Sequence, residues 1–291
     1  MDDPAFALRD ATIAIVGIGL MGGSLALALR AQNACRAILG ITRSPATRDQ
    51  ALARGAVDEA SGHLSLAASA DVIVLATPVR TIMRQMAEIG AVARAGAVIM
   101  DLGSTKQAIV RAMEQLPARL EPIGAHPMCG KETFGFHAAD AALFQNAPFV
   151  LTPLARTSPA TLALAQTLAL TVGARPIVLD PARHDRIVGA ISHLPFALAA
   201  TLMATAADLA QNDDLLFTLA AGGFRDTSRL AASDTTMMLD ILLTNSNHVA
   251  NLMRTYAARL NQFADSIEGK DESALRTMLE HAARSRRELY V

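Results

Sequence analysis

The residue with the most chemistry to offer is His126, which opens the run His126-Pro127-Met128-Cys129-Gly130-Lys131-Glu132-Thr133 directly after the apolar segment 122–125. An imidazole titrates near neutrality and suits proton transfer. A second apolar segment, 97–101, ends in Asp101-Leu102-Gly103-Ser104-Thr105-Lys106. If the two segments are neighbouring parallel strands, their carboxyl ends open into one crevice, and Ser104 falls close enough to orient His126 by a hydrogen bond. Taken singly, His126 reads as a satisfied core histidine. The convergence of two strand ends is what favours chemistry. Gly130-Lys131 does not make a phosphate loop, because Glu132 stands where such a loop needs Ser or Thr.

Phosphate chemistry is written elsewhere. Gly17-Ile18-Gly19-Leu20-Met21-Gly22 follows the β-branched run 12–16 and precedes leucines at helical spacing, the setting in which G-x-G-x-x-G binds a dinucleotide. Gly17 allows the turn, Gly19 lets a pyrophosphate approach the backbone, and Gly22 lets helix and strand pack closely; Leu20 and Met21 offer their amides at the helix start. About 20 residues on, where an NAD site carries an acid, the chain has Thr42-Arg43-Ser44. An arginine flanked by hydroxyls pairs with a 2′-phosphate, so the cofactor expected is NADP, with NAD accepted if Arg43 is only a solvated turn residue. Thr77 and Pro78, at the end of the run 71–76, are expected to border the cofactor or simply to stop a strand.

A third group lies at Gly222-Gly223-Phe224-Arg225-Asp226-Thr227-Ser228-Arg229, where two glycines interrupt a helical pattern. Arg225 and Arg229 stand four apart and share a helix face, so both can reach one cavity and grip carboxylates. An acidic substrate follows. The plainer reading is a pair of surface arginines matched by Asp226 or Asp234.

These groups need a frame. The segments 12–16, 37–41, 71–76, 97–101, 123–125 and 149–151 are short, uniformly apolar and separated by helical text, the pattern of a parallel sheet covered on both faces. After Pro153 the text turns helical, over 159–172, 181–211, 213–221, 235–265 and 272–289, with a short apolar exception at 176–179. The expected fold is α/β: an N-terminal Rossmann-type parallel-sheet domain, residues 1–153, and a C-terminal all-helical domain, residues 154–291. Pro195 is expected to kink the helix over 181–211. The apolar faces in the second half exceed what one small bundle buries, which points to a homodimer.

Composition closes several routes. With 26 Lys+Arg against 27 Asp+Glu the net charge is -1, too little for non-specific attraction to nucleic acid or an anionic membrane. Two cysteines without a C-x-x-C pair give neither a disulfide framework nor a zinc ribbon, and no metal site is expected. The acidic start MDDPAFALRD lacks the basic region of a signal peptide, and glycine, proline or charge punctuates the apolar stretches before about 18 residues. A cytoplasmic protein is expected.

Together, GIGLMGGS at 17–24, DVIVLATPV at 71–79, DLGSTK at 101–106, HPMCGKE at 126–132, SHLPF at 192–196 and GGFRDTSRLAASD at 222–234 resemble the prephenate/arogenate dehydrogenase family of tyrosine biosynthesis. The resemblance spans most of the chain in the expected order. It implies a Rossmann domain with a helical dimerisation domain and an oxidative decarboxylation of a cyclohexadienyl acid with hydride transfer to NAD(P). It further implies that His126 acts as base, Ser104 orients it, Arg229 binds the ring carboxylate, and Ser192, His193 and Glu132 line or gate the pocket.

One position departs. Many prephenate-using members read S-H-L-P-H, where this chain has Phe196. Together with Thr42-Arg43-Ser44 this favours arogenate with NADP, Asp226 or another acid meeting the substrate ammonium; prephenate with NAD is the alternative. The related β-hydroxyacid dehydrogenases place a catalytic lysine on the first long helix of the second domain, and the lysines here are only Lys106, Lys131 and Lys270. A reading from another class, a non-catalytic NADP-sensing module, predicts cofactor binding without turnover.

Overall fold

A computed structural model of the chain describes residues 7–131 and 133–289. It divides into two compact units, residues 1–245 and 246–291.

The first unit is built on an eight-stranded sheet. Its strands are β1 (Thr12–Val16), β2 (Ala37–Ile41), β3 (Glu59–Ser61), β4 (Val72–Leu75), β5 (Val98–Asp101), β6 (Glu121–Pro127), β7 (Pro148–Pro153) and β8 (Arg175–Val178), in the order β3-β2-β1-β4-β5-β6-β7-β8. The first six run parallel, in the strand order of a dinucleotide-binding Rossmann sheet. β7 pairs antiparallel with β6, and β8 parallel with β7. The expected parallel α/β domain is therefore present, with a reversed two-strand edge. The sheet also continues past residue 153: helix α5 (Pro159–Thr171) leads into β8, the short apolar exception of the sequence.

Alternate residues feed opposite faces, as strand geometry requires. Ile13 and Ile15 enter the core beneath α1 (Leu20–Ala31) and α5, while Ala14 and Val16 enter the one beneath α3 (Val79–Val92) and α4 (Gln107–Glu114). Helix α2 (Pro45–Ala53) starts at Ser44, whose hydroxyl accepts a hydrogen bond from Thr47 N at 3.2 Å.

The helical text after β8 differs in detail from its expected segmentation. Helix α6 (Pro181–Val188) passes through a π-helical turn, Gly189–His193, into α7 (Leu194–Ala210). Pro195 lacks the N–H that would bond the preceding turn, and the backbone widens just before it instead of ending. The rod Pro181–Ala210 is long and apolar enough, by length and composition alone, to cross a membrane; Gly189 and Pro195 do not divide it. It packs against α4 and against the turn Arg229–Ala232.

Residues 213–221, expected as a helix, form turns, and the two glycines open helix α8 (Gly222–Ser228) where an interruption was expected. The expected helix over 235–265 is divided: α9 (Thr235–Thr244) ends at Asn245, which leaves helical geometry at φ -120° and ψ 27°. The second unit consists of α10 (Ser246–Glu268) and α11 (Glu272–Leu289), joined by a tight turn with Lys270 at φ 52°. Met253, Tyr256, Leu260 and Ile267 share one face of α10 and are exposed.

Candidate active site

The glycine turn is built as its spacing implies. Gly17 has φ 100°, and a Cβ there would lie 2.8 Å from the Ala76 carbonyl group and from Thr77 Cγ2. That contact sets Thr77 beside the turn; Thr77 Oγ1 donates to Gln85 Oε1 at 2.8 Å, and Pro78 caps α3. A Cβ on Gly22 would meet the Gly17 carbonyl oxygen at 2.1 Å, so strand and helix close up only on glycine. A Cβ on Gly19, at the N-terminus of α1, would meet nothing within 4 Å. Leu20 and Met21, half-buried, begin α1 there. An open approach to free amides at a helix start is what a pyrophosphate requires, and these residues fit a dinucleotide.

Beyond β2 the chain forms a surface cavity of about 480 Å³ lined by Arg43, Arg48, Ala60, Ser61, Gly62 and His63. Arg48 Nη1 donates to the carbonyls of Thr42 at 2.9 Å and Arg43 at 3.1 Å, holding the turn in place. Arg43 and Ser44 are exposed and Thr42 is half-buried. Sequence spacing found Arg43; Arg48, Ser61 and His63 join it only because α2 and β3 fold back beside β2.

Three strands away, at the carboxyl end of β6, stands His126; strand spacing puts it roughly 14 Å from β1. Asp101, ending β5, ties the two strand ends together. Its Oδ1 accepts from Ala125 N at 3.1 Å, and its Oδ2 accepts from Gly103 N at 2.7 Å and from Lys106 Nζ. Lys106 Nζ also donates to the Ala125 carbonyl at 2.5 Å. Burial raises the Asp101 carboxyl and lowers the Lys106 ammonium from their ordinary values, each partner drawing the other part of the way back.

His126 does not meet Ser104. Ser104 is half-buried after β5, and among the described residues it makes no hydrogen bond to the imidazole. His126 Nδ1 lies 2.9 Å from His184 Nε2, the rings meeting edge to face, and His184 Nδ1 lies 2.8 Å from Asp185 Oδ1. Asp185 accepts the amides of Lys106 at 2.7 Å and Gln107 at 2.9 Å, so it caps α4 from the side. Burial opposes ionisation of Asp185, but the bonds from His184, Gln107 and Lys106 outweigh it and hold the carboxyl below its usual range. His126 is driven well below the usual imidazole range, first by burial and then by its closeness to the other basic groups His184, Lys106 and His193, beside which a further positive charge is disfavoured. It is therefore held neutral, the form a base needs. Burial raises the nearby Cys129 thiol to about 11, which removes it as a nucleophile.

His193 ends the π-helical turn and is buried; Asn245 Nδ2 donates to its Nδ1 at 3.1 Å and to the Asp185 carbonyl at 2.7 Å. This use of Asn245 explains the break between α9 and α10. Burial lowers His193 to about 4. Ser192, beside it, is exposed, and Phe196 is half-buried. Glu132 lies outside the described residues. Arg225, on α8, pairs at 3.3 Å with Asp226, both largely exposed, and Arg229 follows α8 at helical dihedrals and begins the 3-10 turn that packs on α7. Asp226 is thus engaged on the surface, and Asp234 caps α9 through Met237 N at 2.7 Å. No sequence signal marked His184, Asp185 or Asn245; apart from the adjacent His184–Asp185 pair, their partners lie 52 to 79 positions away in the chain.

Residues 25–178 match the nucleotide-binding domain of prephenate dehydrogenase, and residues 180–281 match the prephenate dehydrogenase dimerization domain. The chain belongs to the prephenate dehydrogenase family. It is thus an oxidoreductase with a Rossmann domain, of the kind that serves tyrosine biosynthesis. It is 33% identical over 282 residues to prephenate dehydrogenase of Lactococcus lactis, covering 96% of this chain and 77% of that one. The A. aeolicus prephenate dehydrogenase, solved with hydroxyphenyl propionate and NAD+, superposes with a TM-score of 0.90 at 30% identity, covering 96% of this chain and 98% of that one. Synechocystis arogenate dehydrogenase superposes with a TM-score of 0.80 at 33% identity, covering 96% of this chain and all of the other.

Proposed function

We propose that the chain catalyses the NADP-dependent oxidative decarboxylation of arogenate, as a homodimer. The observation that carries the reaction is the placement of a neutral His126 at the carboxyl end of β6, on the same sheet edge as a glycine turn whose Gly19 leaves room for a pyrophosphate. A dinucleotide held at the turn of Gly17, Gly19 and Gly22 would supply a nicotinamide as hydride acceptor. His126 accepts the proton of the substrate's ring hydroxyl as the hydride leaves the same carbon. The bond to the ring carboxylate then breaks, carbon dioxide departs, and the electron pair left behind makes the ring aromatic with a phenolate oxygen. His126 returns its proton to that oxygen, so the side chain ends as it began. Arg229 is assigned to the ring carboxylate, with Ser104, Ser192, His193 and Glu132 around it. Alignment of alcohol, base and cofactor supplies most of the rate.

The cavity lined by Arg43 and Arg48 supports NADP, since two guanidinium groups complement a 2′-phosphate. Phe196, where many prephenate-using members carry a histidine, and the likeness to Synechocystis arogenate dehydrogenase support arogenate. Prephenate with NAD is the second reading, supported by the Lactococcus lactis and A. aeolicus relatives. The dimer is supported by the dimerization-domain match and by exposed Leu202, Leu209, Leu239 and Leu243 on α7 and α9. A steady-state assay crossing NAD and NADP with prephenate and arogenate tests the assignment. The expected result is the highest kcat/KM for arogenate with NADP; a strong preference for prephenate overturns the substrate, and binding of NADP without turnover of either acid overturns the reaction.

A further inference from the structure

His126 is held by a line of contacts whose proton positions can be worked out from its far end. Asp185 accepts two backbone amides, from Lys106 and Gln107. A carboxylate so held has no proton to give, so the third contact, His184 Nδ1 at 2.8 Å, is an N–H donating to Oδ1. With its one ring proton placed there, His184 presents a lone pair at Nε2. The atom 2.9 Å from that lone pair is His126 Nδ1. The hydrogen between the rings therefore belongs to His126, and the opposite ring nitrogen, Nε2, is left without one.

We propose that His184, backed by Asp185, is a positioning residue that fixes the Nδ1–H tautomer of His126 and thereby reserves Nε2 as the proton acceptor. This rests on the reading of His126 as the base. His184 is 1% exposed and Asp185 fully buried, so water does not compete for the bonds along the line. The other polar groups around the ring are already committed: Lys106 to Asp101 and the Ala125 carbonyl, His193 Nδ1 to Asn245. When His126 takes up the substrate proton, its Nδ1–H bond to His184 becomes charge-assisted and strengthens, with the Asp185 charge behind it. The line thus supports the imidazolium as it forms and lets it hand the proton back. A carboxylate that fixes the tautomer of a catalytic imidazole does the same work in hydrolytic triads; here a second imidazole stands between the two.

Two substitutions separate the functions of His184. His184→Asn keeps an amide near the Nδ1 position, preserving the bond to Asp185 while deleting the acceptor for His126. His184→Gln puts an amide oxygen near the Nε2 position, restoring that acceptor while giving up the bond to Asp185. The readouts are the His126 tautomer, from nitrogen–proton couplings in protein labelled with 15N-histidine, and kcat and KM. The wild-type protein is expected to carry the His126 proton on Nδ1. His184→Asn is expected to lose that preference and about 10- to 100-fold in kcat with little change in KM, and His184→Gln to recover most of both. A wild-type Nε2–H tautomer, or a His184→Asn protein with wild-type tautomer and rate, overturns the inference. If His184→Asn fails to fold, the wild-type tautomer still decides. That measurement needs no turnover, so a protein inert toward both acids would tell against the proposed reaction and leave the tautomer to judge this inference.

Discussion

Lys106 and Asp101 form an ion pair to which solvent has no access, both side chains being 0% exposed. The pair joins β5 to β6 beneath the site, Asp101 bonding Ala125 N and Lys106 bonding the Ala125 carbonyl. Removing one partner leaves a buried charge uncompensated, at a cost of about 3–5 kcal/mol. Lys106→Met is therefore expected to lower the free energy of urea unfolding by that order, and adding Asp101→Leu to recover much of it. Additive losses in the double-mutant cycle would show that the two groups do not interact.

Stability should also report the buried imidazoles. His193 titrates at about 4 in the folded chain against 6.5 in the unfolded one. Below pH 6.5 the unfolded chain takes a proton that the folded chain refuses, so stability is complete above 6.5 and is lost as pH falls toward 4. The loss from this group is on the order of 3 kcal/mol, and His126, also lowered, adds to it in the same direction. Urea unfolding of His193→Gln between pH 7 and 4.5 should show a shallower decline than wild type; equal slopes would remove His193 as a cause.

Removal of the base itself is the most direct test of the chemistry. His126→Asn is expected to lower kcat by ~100-fold or more while NADP affinity, measured by fluorescence titration, stays near wild type. The acid limb of kcat/KM should fall well below the usual imidazole range, because the folded chain disfavours the charged ring. Turnover that survives the substitution would exclude His126 as the proton acceptor.

Cofactor choice is expected to rest on the guanidinium groups near β2. Arg43→Ala should raise KM for NADP about 10- to 100-fold, the worth of one charge-assisted hydrogen bond, and leave KM for NAD within about twofold. Arg48→Ala should do the same and also loosen the 42–44 turn, since Arg48 holds two of its carbonyls. Equal effects on the two cofactors would mean that the cavity does not read the 2′-phosphate.

Gly22 offers a test of the turn that makes no appeal to substrate. Gly22→Ala brings a methyl group against the Gly17 carbonyl, where 2.1 Å is available. Backbone on both sides has no flexible side chain to move aside. Weakened binding of either cofactor and a lower melting temperature are expected together; unchanged binding by calorimetry would show that the turn relaxes freely.

Local pattern alone determined the parallel strands β1, β2, β4, β5 and β6, the glycine turn and the strand-end position of His126, because strands, tight turns and helix starts are specified by residues within a few positions of one another; it gave neither β3 nor the reversal at β7. It also carried the family, through strings that each lie within one turn or strand end. Tertiary structure decided the rest. Whether Ser104 or His184 meets the imidazole depends on how α6 lies across β6, and no neighbouring residue encodes that. Asn245 breaks a helix because it is needed by Asp185 and His193, so the break is invisible to helical periodicity. Arg43 announced itself by distance from the glycines, whereas Arg48 reached the same cavity only after α2 turned back along β2. Burial did what composition had no means to state: it keeps His126 and His193 uncharged, because an ion deprived of water is stable only where a partner of opposite charge replaces the lost hydration.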